Sequence, residues 1–190
     1  MNGVKSNKKP AGTLQQRLLR TSRVHFLYAF LFTASILAYD AWKLIAPEDV
    51  LGRWKVAALL LVATTLVWYI AKNANHNPIV YKTALYALIL TDLYVAASLV
   101  YAERGMASRG VMLFVIPIII STAFERASAV FATAALATAA YTFMAVRYFV
   151  VNFNEGYKIE LYATLAFYSA LFFVVAGLLS AALHDKARNQ

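Results

Sequence analysis

Six stretches of this chain are almost wholly apolar over the length needed to cross a bilayer, and no other feature restricts its fold as much. They cover roughly 26–46, 54–72, 79–102, 109–124, 127–147 and 159–183. A hydrocarbon core about 30 Å thick takes about 20 residues of helix. The connections between the runs are short, so consecutive helices are expected to be antiparallel neighbours. The predicted fold class is all-α, a polytopic membrane protein with six transmembrane helices in an antiparallel bundle. Composition agrees: 62% of the residues are hydrophobic, against about 45–50% in an ordinary soluble domain. The chain has no cysteine, which removes thiol catalysis, disulfide frameworks and zinc held by thiolates.

The net charge of +9 does not point to nucleic acid, because the basic residues lie at the ends of the apolar runs. That is the pattern of membrane orientation signals. Residues 1–25 carry Lys5, Lys8, Lys9, Arg17, Arg20 and Arg23 with no acid, and read as a basic cytoplasmic tail. Thr13 to Gln16 fits a capping box, so an interfacial helix is expected from near Leu14, its arginines leaning on anionic lipid. Residues 26–184 form the six-helix membrane domain and 185–190 a short cytoplasmic tail. With alternate connections assigned to opposite sides, 11 of the 18 Lys and Arg residues fall on the side of the termini and 7 on the other. By the positive-inside rule both termini are predicted cytoplasmic, in the plasma membrane.

The third run contains Asp92 beside Thr91. A carboxylate at mid-membrane costs about 2.5 to 3.5 kcal/mol on insertion scales unless it is paired or protonated, so Asp92 must face protein and have a partner. Thr91, Ser98 or a threonine of the fifth run are the expected donors, with an ion, proton or partner-helix role as the functional alternative. Asp40 and Lys43 are spaced to pair on one helix face. After the third run comes a polar turn, Glu103-Arg104-Gly105-Met106-Ala107-Ser108-Arg109, and then a fourth run interrupted by Pro117. Proline there removes a backbone hydrogen bond and crowds the carbonyl of Leu113, so a kink is expected. Interrupted helices line cavities in transporters.

Residues 91–146 carry a family resemblance. The intramembrane Asp92, the Leu-Val-Tyr helix end, the Gly-containing turn with Ser108, the Leu-Phe-x-x-Pro-Ile-Ile run and the closing Arg126 before an Ala-rich helix resemble the six-helix membrane sensor domain of bacterial histidine kinases of the pilin-regulating type. That family commonly has Gly-Gly-x-x-Ser-Pro in the turn, whereas Arg104 and Arg109 stand here at the first Gly and the Pro. The resemblance implies a sensor-like or interaction module that lacks the catalytic half and acts through helix contacts, as a homodimer or with another membrane protein.

The fifth run is built from small residues, with Ala134, Thr138 and Thr142 at i, i+4 and i+8. This small-xxx-small pattern lets helix backbones approach, and predicts that the fifth helix is the central packing helix. Asn152 to Glu160, mixing aromatics and acids, is a candidate outer-face contact loop. His25, His76 and His184 all fall at expected inner ends of spans, so two histidines are not available to hold an intramembrane haem. No phosphate loop, His-Glu-x-x-His or hydroxyl-His-acid triad is apparent, and neither enzyme activity nor a cofactor or metal is expected. The alternative function is the substrate-binding subunit of a vitamin or metal uptake transporter, which has a chain of this length with about six helices.

Overall fold

The computed structural model describes residues 11–44, 46–73, 77–103, 105, 108–153 and 159–188. Among these there are helices and no strand. They are α1 (Ala11–Ala41), α2 (Pro47–Lys72), α3 (Pro78–Ala102), α4 (Val115–Ser121), α5 (Ala127–Phe153) and α6 (Ile159–Arg188), with 3₁₀ segments Arg109–Phe114 and Thr122–Phe124 on either side of α4. Five helices are long and apolar enough to cross a membrane, and Arg109–Phe124 forms a shorter apolar segment. The capping box lies partly outside the side chains described.

Local chemistry fixes the helix ends. Pro47 and Pro78 open α2 and α3 in the first turn, where a missing N–H leaves no hydrogen bond unmade. The Asn77 side chain accepts from the Ile79 amide at 3.1 Å, a cap that satisfies one of the orphan donors. At the other end of α1, the Leu44 amide donates to the Tyr39 carbonyl at 2.8 Å and the Lys43 amide to Asp40 at 2.9 Å. Lys43 has φ 52°. Together these make a Schellman motif, which closes the last carbonyls of the helix. The first helix therefore stops at Ala41 rather than 46, Lys43 stands past its end, and among the described residues no ion pair joins it to Asp40.

Two sequence expectations are revised by the packing. The basic segment 14–25 is not set apart from the membrane domain: α1 runs unbroken through it, and Leu18 and Ser22 are fully buried. The central helix is α3 and not α5, since 61% of the apolar window of α3 is buried against 33% for α5. Helix α3 packs on α1, α2, α4 and α5. The reason lies in side-chain size. Ala96 and Ala97 of α3 and Ala134 and Ala137 of α5 are all buried, so close approach is shared between the two helices. Ala134 lies on the buried face of α5 with Val130, Ala137, Tyr141 and Ala145, whereas Thr138 and Thr142 flank it, half-buried. Phe114, Tyr141 and Phe172 meet where the fourth segment, α5 and α6 converge, with ring centroids 5.7 to 6.3 Å apart.

The interruption at Pro117 takes a different form from a kink in a continuous α-helix. The backbone is 3₁₀ up to Phe114 and turns α only at Val115. Pro117 therefore sits in the first turn of α4, where the N–H groups have no intrahelical acceptor to lose. The 3₁₀ segments also lengthen the path. At about 2.0 Å per 3₁₀ residue and about 1.5 Å per α residue, Arg109–Phe124 extends about 28 Å, against about 24 Å if it were wholly α-helical.

Gly105, in the turn after α3, has φ 64°, and a methyl group there would lie 2.9 Å from Tyr148 Cδ1. Gly177 in α6 has nothing within 4 Å of such a methyl. Gly105→Ala is expected to destabilise by about 1–3 kcal/mol, the usual cost of a side chain held in the left-handed region. Gly177→Ala is expected to be neutral or stabilising, because alanine is the better helix former. Thermal unfolding in detergent checks both, and equal shifts for the two variants would show that the turn imposes no such constraint.

Candidate functional site

The polar centre of the molecule joins α1, α2 and α3. Along α1 the buried residues Leu18, Ser22, His25, Ala29 and Ile36 form one stripe of helical period, and along α2 Ala57, Leu60, Thr64, Val67 and Ala71 form another. His25 and Thr64 thus occupy core positions of helices whose other core positions are apolar or small. Facing them is Asp92 of α3. His25 Nε2 lies 2.9 and 3.1 Å from the two carboxylate oxygens of Asp92, and His25 Nδ1 lies 2.7 Å from Thr64 Oγ1. The side chains of His25 and Asp92 are each 1% exposed. The Tyr28 ring stands edge-on to the imidazole at 5.2 Å.

The hydrogen bonds assign the protons. Thr64 Oγ1 is 2.6 Å from the Leu60 carbonyl, which can only accept, so the hydroxyl proton goes there. His25 Nδ1 then donates to Thr64 Oγ1, and a single further proton lies between Nε2 and the Asp92 carboxylate. Whichever atom holds it, the pair is neutral as a unit, and the desolvation cost of two isolated charges is avoided. The same assignment argues against nucleophilic chemistry. A hydroxyl, an imidazole and a carboxylate do stand in line, which sequence reading did not foresee, but a triad needs the imidazole to take the hydroxyl proton. Here that proton is engaged by a backbone carbonyl and Thr64 is fully buried.

The expected partners of Asp92 are replaced by His25. Thr91 donates to the Ala87 carbonyl and Ser98 to the Tyr94 carbonyl, each within α3, and Thr133 of α5 donates to Ala129. Arg17, Arg20 and Arg23 look like a flank, which puts His25 at an inner span end when the sequence is read alone. They project from a helix whose opposite face is already buried. The stripe Leu18, Ser22, His25, Ala29 was the one signal able to find it.

A cleft of about 520 Å³ between α1, the fourth segment and α6 leads to this centre, with His25 and Tyr28 among its lining. Its rim holds Arg17, Arg20, Glu125 and Lys186. Glu125 adopts φ 53°, which places its carboxylate 2.9 Å from Arg17 Nη2 and 3.5 Å from Lys186 Nζ. Arg17 also donates to the Ala123 carbonyl at 3.0 Å.

The turn after α3 gathers a second polar group. Arg53 donates to Glu103 at 2.7 Å, Ser108 Oγ donates to Glu103 Oε2 at 3.2 Å, and Ser108 Oγ in turn accepts from the Gly110 amide at 2.9 Å. Arg109 reaches the Tyr39 hydroxyl at 3.4 Å. Tyr39, Arg53, Glu103 and Arg109 border a cavity of about 610 Å³. Ser108 and Arg109 of the expected turn thus lie in separate contacts, Ser108 with Glu103 and Arg109 with Tyr39, and Arg53 and Glu103 are members that spacing did not reveal. Arg104 lies outside the described residues, as do His76 and residues 154–158 of the candidate outer loop. Among the described residues no three His, Asp or Glu side chains are grouped to hold a metal ion.

No family model matches this chain, and neither a curated protein nor a solved structure does.

His25→Leu and Asp92→Leu are each expected to destabilise by about 3 kcal/mol, since each leaves one polar partner buried without the other. The double variant should lie closer to wild type than either single one, because a neutral apolar pair replaces a neutral polar pair. Thr64→Val should cost about 1 kcal/mol, the worth of one hydrogen bond. Unfolding by a denaturing detergent from mild micelles measures all four, and additive losses in the double variant would show that the two residues are not coupled.

Proposed function

We propose that this chain is a sensor-like or interaction module of the plasma membrane, resembling the membrane sensor domain of a histidine kinase. The proposed arrangement is an antiparallel bundle of six spans with both termini cytoplasmic. Two sets of contacts support it. Gln15 at the start of α1 donates to Ala71 at the end of α2, and Tyr81 near the start of α3 donates to Asn73 just beyond α2. Arg53 near the start of α2 meets Glu103 after α3, while Arg109 before α4 meets Tyr39 near the end of α1. The distribution of Lys and Arg supports the orientation.

The observation that carries the functional reading is the His25–Asp92–Thr64 centre. It is placed on the least buried long helix, for only 17% of the apolar window of α1 is inside the protein. Val24, Leu27, Phe30 and Leu31 of α1 are all more than half exposed. Helix α1 packs on α2 along its buried stripe, meets α3 at His25, and keeps an apolar face that a partner helix is able to cover. Its seating then depends on whether the His25–Asp92 contact is made. That gives two arrangements of one element, which a signal is able to bias.

The transporter-subunit reading is kept for one observation, the cavity of about 610 Å³ lined in part by Ser35, Tyr39, Arg53, Glu103 and Arg109. A few polar groups on a largely apolar wall suit a vitamin-like organic molecule better than a bare metal.

The experiment is co-purification from native membranes after cross-linking. Wild-type chain should retain a membrane partner or a second copy, and Asp92→Asn and His25→Gln should reduce that recovery several-fold while unfolding close to wild type. Unchanged recovery with both variants counts against the signalling role. A stoichiometric small molecule released on denaturation, and seen by mass spectrometry, would move the assignment to the transporter subunit.

A further inference from the structure

The cleft between α1, the fourth segment and α6 combines three properties that belong together on one kind of ligand. Its rim carries three cations, Arg17, Arg20 and Lys186, against the single carboxylate of Glu125. Glu125 is shared by Arg17 and Lys186, so two positive charges remain uncompensated there. Among the described residues Arg20 makes no hydrogen bond or ion pair, and its side chain is exposed. Beneath the rim the wall is apolar, formed by Val24, Ile116, Ile119 and Leu183, with Val24 and Ile119 still open to the surroundings. The ligand needs negative charge at one end and hydrocarbon directly below it.

We infer that this cleft is a binding site for an anionic phospholipid, with its phosphate between Arg20 and Lys186 and the upper part of an acyl chain along Val24, Ile116 and Ile119. Charge complementarity selects the headgroup: basic pockets between membrane helices attract anionic lipid, and an exposed arginine presents a donor fork that matches a phosphate. The apolar wall selects lipid over a soluble anion, because a free phosphate gains nothing from it. The backbone of Glu125 is informative here. A non-glycine residue in the left-handed region is costly and persists where the surroundings hold it. The conformation sets the Glu125 carboxylate between Arg17 and Lys186 and leaves Arg20 free. The site reaches inward to His25 and Tyr28, so its occupant would lie next to the polar centre. The inference stands apart from the signalling proposal, since lipid can occupy the cleft whether or not a partner reads it.

Native mass spectrometry of the purified full chain tests the site, titrating phosphatidylglycerol and, separately, phosphatidylcholine with the same acyl chains. The first phosphatidylglycerol adduct is expected to form about tenfold more tightly, the scale on which basic residues act on an anionic headgroup. Arg20→Gln should lower that preference about fivefold, and Lys186→Gln should lower it as well. Arg23→Gln, an exposed arginine on the same helix but outside the cleft, should leave it unchanged. Both lipids binding equally would overturn the inference, as would an equal loss with Arg23→Gln, which indicates a diffuse basic surface. Millimolar inorganic phosphate abolishing the preference would assign the rim to a soluble anion. A dimer that Arg20→Gln dissociates, without any lipid preference, would assign the cleft to a second copy of the chain.

Discussion

A carboxyl group in the interior of an apolar helix bundle has to be neutralised by something, and in this protein that something is a histidine on another helix. The His25–Asp92 contact joins residues 67 positions apart in sequence, and so fixes the rotation of α1 and α3 about their own axes. Thr64 adds α2 by accepting from the other imidazole nitrogen. Since α3 is the most enclosed helix, the same contact that neutralises Asp92 also attaches α1, the helix with least of its surface buried, to the core. Losing either partner removes a hydrogen bond and leaves a lone polar group in apolar surroundings, which is why an inner polar pair holds elements so firmly to one geometry.

The two end clusters divide the remaining polar chemistry. At one end Glu103 accepts from both Arg53 and Ser108, and Ser108 caps the 3₁₀ segment that follows. At the other, Glu125 lies between Arg17 and Lys186. Each is a single acid serving two donors from other parts of the chain, next to a turn with a left-handed residue, Gly105 in the first case and Glu125 itself in the second. The difference is in what is left over. In the Glu103 cluster Arg53 reaches the acid and Arg109 the Tyr39 hydroxyl, whereas the rim at Glu125 keeps an arginine with no hydrogen bond or ion pair among the described residues.

The fourth segment shows how a short, proline-containing run adapts. Proline cannot continue an α-helix without leaving a carbonyl unpaired. The chain avoids this by beginning its α-turns at Val115 and using 3₁₀ geometry before and after. The change of helix type accommodates the missing N–H and stretches sixteen residues toward the thickness of a hydrocarbon core. Pro117, Ile118 and Ile120 are all buried as a result, and Phe114 reaches the aromatic cluster with Tyr141 and Phe172.

The sequence by itself determined what depends on local composition. Long apolar runs are a short-range property, and they marked the apolar segments, but they missed the proline-led start of α2 at Pro47 and the first half of α1, which basic side chains disguise. The sequence also required that Asp92 have a partner and marked Ala134 as a contact residue, because the energetic cost of a buried acid and the size of alanine are intrinsic to the residues. Only the tertiary structure decided which partner and which central helix. Thr91, Ser98 and Thr133 were all chemically able to bond Asp92, but each of these hydroxyls bonds a carbonyl in its own helix, as serine and threonine readily do. His25 won because the stripe that includes Leu18 and Ala29 turns it toward α3, and that rotation follows from packing several helices together at once. Helix periodicity says which residues share a face; it does not say which face meets which neighbour, since that depends on how side chains of different size fill the space between helices.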